Sequence, residues 1–325
     1  MSKLIILVGL PGSGKSEQAK FLAEHYDAQV FSSDDIREEL LNDVNNQDKN
    51  VEVFEEMNKR TQLALNQGKT VVYDATNINR KRRKHLINHV FKADGKVAYY
   101  LNADFETVLN QNQQRDRAVP LDVIEKMYKT LEIPVEGEGF DKVYYINNFP
   151  DDRSDITEYV ERVIQADFKH DSLFSTLSLI KEFDSIVNLP QDSSYHSFSV
   201  SRHTYYVYDY IRSNYDGEDK LMMLYVSLFH DIGKGFCKSF RNFKGEETRY
   251  ANFIGHEYVS SQIAASVLPA MGYSESFVKD VATLIQFHMM PMKASEKKMK
   301  EVHSLIGDNL YEKLMFLHEA DLQAK

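Results

Sequence analysis

Short runs of apolar and β-branched residues alternate with longer amphipathic segments through the first half of the chain. The short runs are 4–8, 29–32, 70–74, 97–101 and 143–146, and the amphipathic segments lie near 16–26, 50–67, 80–92 and 104–131. Strands that alternate with helical segments are typical of a parallel sheet wound by helices. We therefore predict an α/β domain over residues 1–150.

The hydrophobic pattern changes after residue 150. Helical periodicity is found at 156–168, 171–187, 201–213, 220–230, 256–271, 274–288 and 297–321, and polar, turn-forming stretches separate these segments. No further strand is predicted. The sequence thus predicts an all-α domain over 170–325, joined to the first domain by a linker helix within 151–169.

Length and composition agree with two ordinary globular domains. The chain has 325 residues, of which 42% are hydrophobic and 27% charged. No run approaches the roughly 20 apolar residues of a membrane span, and the apolar start runs directly into a glycine-rich turn, unlike a signal peptide. The single cysteine, Cys237, excludes an internal disulfide. We expect a cytoplasmic protein with no membrane partner, and its oligomeric state stays open.

The charge is acidic in both halves. Lys and Arg number 20 against 23 Asp and Glu in residues 1–150, and 19 against 26 in residues 151–325, giving the net charge of −10. Neither half is therefore a basic body. A nucleic acid, if bound, would contact a local channel or present a strand end rather than lie along a duplex-binding face.

The first predicted strand runs into the glycine-rich stretch GLPGSGKS, which matches the pattern G-x-x-x-x-G-K-[ST] with a strand before it and a helix after it. Its candidate binding residues are Gly9, Pro11, Gly12, Ser13, Gly14, Lys15 and Ser16. The glycines let backbone amides face phosphate oxygens. Lys15 would reach the β and γ phosphates, and the Ser16 hydroxyl would hold Mg²⁺. This stretch predicts a binding site for ATP and Mg²⁺.

Charged residues follow the second and third predicted strands. Asp34 and Arg37 come after the second strand and Asp74 ends the third, so all three belong at the sheet edge where open α/β sheets bind ligands. A carboxylate there could accept a proton from an attacking hydroxyl, and an arginine could hold an acceptor phosphate. Asp74 could order water on Mg²⁺ or orient Arg37. The alternative is that the carboxylates only cap helices among solvated charges.

Two arginines, Arg115 and Arg117, lie between two helical segments, ahead of Pro120. On a short helical hairpin they could close over a transferring γ-phosphate, as lids do in small kinases. Their alternative role is to stabilise the carboxyl end of a helix through its dipole.

Four stretches of the first half together resemble the 5′ polynucleotide kinases of the phage end-healing type. They are 9–16, 32–39, 74–83 and 113–134. The resemblance implies that Asp34 is the general base, that Arg37 holds the acceptor phosphate with support from Asp74, and that Arg115 contacts the donor phosphates, with Arg117 nearby. Small nucleoside and nucleotide kinases share this scaffold, so the length of the acceptor stays open.

The second half carries histidines and aspartates at helical positions. An apolar helix ends in adjacent His230 and Asp231, followed closely by Lys234. Two such side chains at the end of an apolar helix would be costly to bury without a partner ion. Further candidates are His203, His256, His288 and Asp321. For a single histidine the alternative is an ordinary hydrogen-bonded core residue.

This series resembles the HD-domain metal-dependent phosphohydrolases, over roughly residues 195–325. The resemblance implies that His203, His230, Asp231 and Asp321 hold one divalent ion and that His256 and His288 hold a second. Mixed imidazole and carboxylate ligands suit Mn²⁺, Fe²⁺, Co²⁺, Ni²⁺ or Zn²⁺ better than Mg²⁺. Such an ion could support attack of hydroxide on phosphorus, with Lys234 neutralising the developing charge.

Together these motifs predict a bifunctional nucleic-acid end-healing enzyme. It would phosphorylate 5′-hydroxyl ends of DNA or RNA strands with ATP and remove 3′, 2′ or 2′,3′-cyclic terminal phosphate, with a nucleic-acid ligase acting downstream. Two alternatives stay open. One is a nucleoside or nucleotide kinase fused to an HD nucleotidase, and the other is a nucleotide-sensing, RNA-binding adaptor whose HD half is structural.

Overall fold

The computed structural model describes residues 1–115, 117–149, 151–193, 198–242 and 244–324. The chain forms two compact units, which we call the N-terminal and C-terminal units. The N-terminal unit comprises Met1–Met127 and Leu131–Asn148. The C-terminal unit comprises Tyr128–Thr130 and the described residues from Phe149 onward.

The N-terminal unit is built on a five-stranded parallel sheet with strand order β2-β3-β1-β4-β5. The strands are β1 (Lys3–Val8), β2 (Gln29–Ser32), β3 (Thr70–Asp74), β4 (Gly95–Asn102) and β5 (Lys142–Asn147). The central strand β1 is fully buried from Leu4 to Val8, because helices cover both faces of a parallel sheet. The predicted α/β architecture is confirmed.

Six α-helices accompany the sheet. They are α1 (Lys15–Tyr26), α2 (Ser33–Leu41), α3 (Asn50–Asn66), α4 (Arg80–His85), α5 (Phe105–Gln113) and α6 (Leu121–Tyr128), and one π-helical turn (Leu86–Val90) extends α4. The sequence did not predict α2, because only Ile36 and Arg37 of this polar segment are buried. Its start is instead fixed by Ser32, whose hydroxyl accepts hydrogen bonds from the Asp34 and Asp35 amides.

The C-terminal unit is mainly helical. Its helices are α7 (Ser154–Gln165), α8 (His170–Leu177), α9 (Val200–Asn214), α10 (Lys220–Phe229), α11 (Lys234–Cys237), α12 (His256–Ala270), α13 (Glu275–Phe287), α14 (Met290–Lys293) and α15 (Glu296–Gln323), with a 3-10 turn at Lys181–Ser185. Helix α10 is buried from Met222 to Phe229, and α9, α12, α13 and α15 all contact it. Helix α7, in the segment predicted as a linker, buries Val160 and Ile164 and also contacts α10.

The expectation of an all-α second domain is wrong in one detail. Strands β6 (Ser239–Arg241) and β7 (Glu247–Asn252) form a two-stranded antiparallel ribbon. Both strands are largely exposed, so they carry no buried apolar alternation for sequence analysis to detect. Among the described residues, no helix combines the length and apolarity that crossing a membrane requires.

Candidate functional sites

The glycine-rich turn between β1 and α1 has the geometry of a phosphate cradle. Gly12 and Gly14 have φ angles of +82° and +91°. A Cβ atom at Gly12 would lie 2.5 Å from the Val108 carbonyl oxygen, so only glycine fits there. Helix α1 starts at Lys15 without a side-chain cap, which leaves its first amides available to an anion.

Lys15 is half-buried in this turn. Its Nζ donates a 2.7 Å hydrogen bond to the Leu10 carbonyl oxygen. Burial lowers the pKa of Lys15 to about 8, although the nearby Asp74 carboxylate opposes the shift. Burial likewise raises the pKa of Asp74, and Lys15 opposes that shift. A polyanion beside Lys15 would favour its charged form.

Three arginines surround the carboxylate of Asp34. The Arg37 and Arg117 Nη1 atoms each donate a 3.0 Å hydrogen bond to Asp34 Oδ1, and Arg115 Nη2 lies 3.8 Å from Oδ2. The Asp34 side chain is 41% exposed, whereas that of Arg37 is 4% exposed. A half-exposed carboxylate held by guanidinium groups can accept a proton from a hydroxyl group brought to it.

Arg37 is held from behind by Asn50. Arg37 Nη2 donates a 2.7 Å hydrogen bond to Asn50 Oδ1, while its buried Nε has no hydrogen-bond partner in the described part of the chain. Burial lowers the pKa of Arg37, and Asp34 opposes the shift. The sequence assigned the supporting role to Asp74, but the hydrogen bonds of Arg37 in the described residues go to Ser33, Asp34 and Asn50. No motif marks Asn50, which begins a separate helix.

These groups line one cleft of about 1390 Å³ within the N-terminal unit. The cradle residues Gly12, Gly14, Lys15 and Ser16 line one part of this cleft. Another part is lined by amides and by a stacked pair, in which the Arg82 guanidinium lies 3.7 Å from the centre of the Phe54 ring. The amide side chains there are Asn45, Gln47, Asn50 and Asn58. The volume exceeds that of a typical pocket for one small ligand.

The structure also brings the six predicted metal-ligating side chains together. Two groups form, in each of which the candidate ligand atoms lie within 4.8 Å of one another. The first group is His203, His230 and Asp321, and the second is Asp231, His256 and His288. The family resemblance implied that Asp231 belongs with the first group, and its Oδ2 atom does lie near His203 and His230 of that group.

Asp231 lies between the two groups. Its Oδ2 is 3.4 Å from His230 Nε2 and 3.6 Å from His203 Nε2, whereas its Oδ1 is 3.3 Å from His256 Nε2. Lys234 Nζ lies 2.7 Å from Oδ2. One carboxylate could therefore contribute an oxygen to each group.

Backbone carbonyls fix the orientation of the four histidine rings. The Nδ1 atom of each ring lies within hydrogen-bond distance of a carbonyl oxygen, at Ala324 for His203, Ser227 for His230, Phe253 for His256 and Ile285 for His288. Because a carbonyl only accepts, Nδ1 must carry the proton, and a neutral ring then presents the lone pair of Nε2. Metal-ligating histidines are commonly oriented in this way.

The Nε2 atoms are placed as a cation would require. Those of His256 and His288 are 3.2 Å apart, so two lone pairs face each other. The Nε2 atom of His230 is buried without a hydrogen-bond partner in the described residues. A divalent cation in each group would remove both costs, and this donor set fits a transition metal.

The charges of the cluster also favour a cation. Burial opposes ionisation of Asp231, yet Lys234 and His230 hold the pKa of that carboxyl well below its usual value. Burial and, to a smaller extent, the neighbouring His256 lower the pKa of His288 to about 3, so this ring is neutral. Burial works against a charge on His230, but Asp231 raises the pKa of His230 overall. A metal ion would take the place of the proton that the Asp231 carboxylate attracts to His230.

Two family models match the chain in these regions. Residues 4–134 match a family described as an AAA domain, and residues 194–322 match the HD domain family. The chain therefore joins a P-loop kinase-like domain to a helical HD domain. The first implies ATP and Mg²⁺, and the second is a type of domain that usually binds a divalent metal ion.

Known kinases are similar to part of the chain. The L-seryl-tRNA(Sec) kinase of Methanococcus maripaludis is 29% identical over 164 residues, which cover 49% of this chain and 61% of that protein. A sugar kinase structure from Janibacter sp. has a TM-score of 0.36 at 14% identity, covering 45% of this chain and 86% of its own. A gluconokinase structure from Sinorhizobium meliloti has a TM-score of 0.33 at 18% identity, covering 45% and 82%.

Proposed function

We propose that the chain is a bifunctional nucleic-acid end-healing enzyme. The N-terminal unit would transfer the γ-phosphoryl group of ATP to the 5′-hydroxyl of a DNA or RNA strand. The C-terminal unit would remove a 3′, 2′ or 2′,3′-cyclic terminal phosphate. The observation that carries the kinase half is the carboxylate of Asp34, held by Arg37 and Arg117 in the cleft that also contains the phosphate cradle.

The proposed phosphoryl transfer assigns one task to each group. The acceptor hydroxyl oxygen forms a bond to the γ-phosphorus, the bond to the β–γ bridging oxygen breaks, and the proton passes to Asp34. Lys15 and Arg115, which both line the cleft, would offset charge on the donor phosphates. Arg37, whose Nε has no partner in the described residues, would hold an acceptor phosphate. Mg²⁺, when bound near Ser16, would supply charge neutralisation between the phosphates.

The rest of the cleft supports an acceptor that carries a nucleobase. Arg82 is exposed and stacks on Phe54, so its outer face can receive the flat ring of a base. The amides of Asn45 and Gln47, which line the same cleft, carry both donors and acceptors for base edges.

The proposed hydrolysis relies on the histidine and aspartate groups. A bound divalent cation would supply Lewis-acid polarisation of the phosphate ester. Carbonyl hydrogen bonds hold His203, His230, His256 and His288 with Nε2 toward the cluster, and Lys234 places a positive charge beside Asp231. In the net reaction the oxygen of water forms a new P–O bond, the ester P–O bond breaks, and a proton from water passes to the sugar oxygen that leaves.

Transfer of label from γ-labelled ATP tests the kinase half. We expect 5′-hydroxyl oligonucleotides of DNA or RNA to be labelled far faster than free nucleosides or nucleotides. Labelling of free nucleosides or nucleotides alone would overturn the proposal in favour of a small-molecule kinase fused to a nucleotidase. Labelling of L-seryl-tRNA alone would favour a second candidate, phosphorylation of an acceptor carried by tRNA. That candidate rests on the 29% identity to the L-seryl-tRNA(Sec) kinase.

Phosphate release from DNA and RNA strands that end in 3′-phosphate, 2′-phosphate or 2′,3′-cyclic phosphate tests the hydrolase half. We expect release to require Mn²⁺, Fe²⁺, Co²⁺, Ni²⁺ or Zn²⁺. A protein that binds none of these ions and releases no phosphate after Mn²⁺ is added would instead be an adaptor with a structural HD half. The two reactions together would produce the 5′-phosphate and 3′-hydroxyl ends that a nucleic-acid ligase, acting downstream, joins.

A further inference from the structure

One pocket formed by described residues of the C-terminal unit has no role in the proposed chemistry. It has a volume of about 500 Å³, within the range of sites for small ligands, and lies entirely in the C-terminal unit. One wall is the segment from Asn188 to Ser193, and the opposite wall is the β6–β7 ribbon. We call it the ribbon pocket.

The ribbon pocket presents aromatic and cationic side chains to solvent. Phe240 and Tyr250, one on each strand, are 47% and 44% exposed and both line the pocket. The Arg249 guanidinium lies 5.3 Å from the centre of the Tyr250 ring and also lines it. Arg249 and Tyr250 are adjacent on β7 and would point to opposite faces of a regular strand. The register shift between Ser239 and Arg241 makes the ribbon irregular, and such an irregularity can re-aim side chains toward one pocket.

Hydrogen bonds and an ion pair fix the β6–β7 ribbon to the segment from Asn188 to Ser193. The Ala251 amide donates a 3.1 Å hydrogen bond to the Asp192 carbonyl oxygen. Lys238 Nζ donates to the Pro190 carbonyl oxygen at 2.6 Å and pairs with the Asp192 carboxylate at 2.5 Å. The backbone that carries the aromatic rings is therefore held in place before any ligand arrives, which reduces the entropy lost on binding.

One side chain connects the ribbon pocket to the metal groups. Gln191 lines the pocket and is only 2% exposed. Its Oε1 accepts a 2.9 Å hydrogen bond from Lys234 Nζ, which is itself 2.7 Å from Asp231 Oδ2. A single ammonium group thus touches both the pocket wall and the carboxylate between the two metal groups.

We infer that the ribbon pocket binds the nucleoside that carries the phosphate to be removed. Exposed aromatic rings with adjacent arginine are the surface on which unpaired bases stack, and stacking tolerates any base. The inference rests on the proposed hydrolase function and deepens it by naming what is recognised. The nucleoside belongs either to a strand end or to a free nucleotide, which share this chemistry.

Kinetics with and without a terminal base test the inference. The substrates are an oligonucleotide with a 3′-phosphate, the same strand with an abasic 3′-terminal residue, and glycerol 2-phosphate, which has no ring. We expect Phe240→Ala and Tyr250→Ala each to raise KM for the intact strand about tenfold, the contribution of one base–aromatic stack. Neither should change hydrolysis of glycerol 2-phosphate. Tyr159→Ala, which removes an aromatic ring 48% exposed on α7, is the matched control.

For the wild-type protein, KM for the abasic strand should exceed KM for the intact strand by the same factor. The ribbon variants should not raise KM for the abasic strand further. Unchanged KM in both ribbon variants would overturn the inference. An equal rise in KM for the intact strand and for glycerol 2-phosphate would also overturn the inference, because damage to the metal groups would then explain both changes.

Binding without turnover separates this inference from the proposed function. Strands with a 3′-hydroxyl are reaction products, so their affinity can be measured by fluorescence anisotropy without ATP or hydrolysis. If the ribbon variants lose the preference for an intact over an abasic 3′ end while no strand end is hydrolysed, the pocket stands and the proposed hydrolysis falls. Unchanged preference overturns the pocket in either case. A nucleoside 3′-monophosphate that binds as tightly as the strand identifies the free nucleotide as the source.

Discussion

Arg117 and Asp34 are 83 positions apart in the chain, yet their side chains are joined by a 3.0 Å hydrogen bond. The same Asp34 oxygen accepts a second hydrogen bond from Arg37. The connection between α5 and α6 and the first turn of α2 thus meet at one carboxylate. This carboxylate is where we expect the acceptor hydroxyl to lose its proton.

Replacement of Asp34 tests this role. Asp34→Asn keeps the shape and most hydrogen bonds but cannot accept the proton, so kcat of the kinase reaction should fall at least 100-fold, as for loss of a general base. Phosphate removal should be unchanged. Glu39→Gln is the control, because Glu39 lies on the same helix but pairs with Arg60. A kinase rate in the Asp34 variant above one tenth of wild type would contradict the assignment.

Asn50 should act through Arg37 rather than on the reacting atoms. Loss of its 2.7 Å hydrogen bond in Asn50→Ala would free the guanidinium to move, and KM for the acceptor should rise about tenfold. KM for ATP should not change. Asn50→Asp, which can still accept from Arg37, should restore much of the acceptor affinity. The half-buried Gln62 of the same helix, which is not among the residues that line the cleft, provides a control as Gln62→Ala. An equal rise in both KM values would point to general damage of the cleft.

The pH dependence of ATP binding should follow Lys15. Burial brings the pKa of Lys15 to about 8 in the free protein, so the side chain is charged below this pH and increasingly neutral above it. A bound triphosphate favours the charged form, so binding should take up a proton above pH 8 and weaken as pH rises. Calorimetry at pH 8.5 in buffers of different ionisation enthalpy would detect this uptake. Lys15→Arg, which stays charged, should abolish it.

Metal content should separate the two groups of candidate ligands. His230→Ala should remove the ion held with His203 and Asp321, and His256→Ala should remove the ion held with His288. Asp231→Ala, at the position between them, should lose both. Elemental analysis after dialysis gives the stoichiometry. His303→Ala is the control because His303 is exposed and pairs with Asp308, and a full metal complement in the Asp231 variant would refute the arrangement.

The two activities should be lost independently. Lys15→Ala should abolish phosphoryl transfer and leave phosphate removal intact, since the cradle and the metal groups are built from different segments of the chain. Asp231→Ala should do the reverse. Both reactions can be followed on one oligonucleotide with a 5′-hydroxyl and a 3′-phosphate. Loss of both from either single change would indicate a shared site.

Local patterns in the sequence determined much of this protein. Alternating strands and helices predicted the parallel sheet, because each segment shows its burial in its own periodicity. The phosphate cradle was equally readable, since the motif needs only one continuous turn from Gly9 to Ser16. The candidate metal ligands were indicated by the adjacent His230 and Asp231 at a helix end and by the resemblance of the histidine and aspartate series to HD-domain phosphohydrolases.

The tertiary structure alone decided how distant groups combine. Asn50 behind Arg37, Asp231 between two groups of ligands and the exposed ribbon around Phe240 all depend on contacts between separate segments. Exposed strands and single polar contacts leave no periodic trace in a sequence. Which oxygen faces which nitrogen is settled only when helices pack, because side-chain positions then follow from the backbone of other elements.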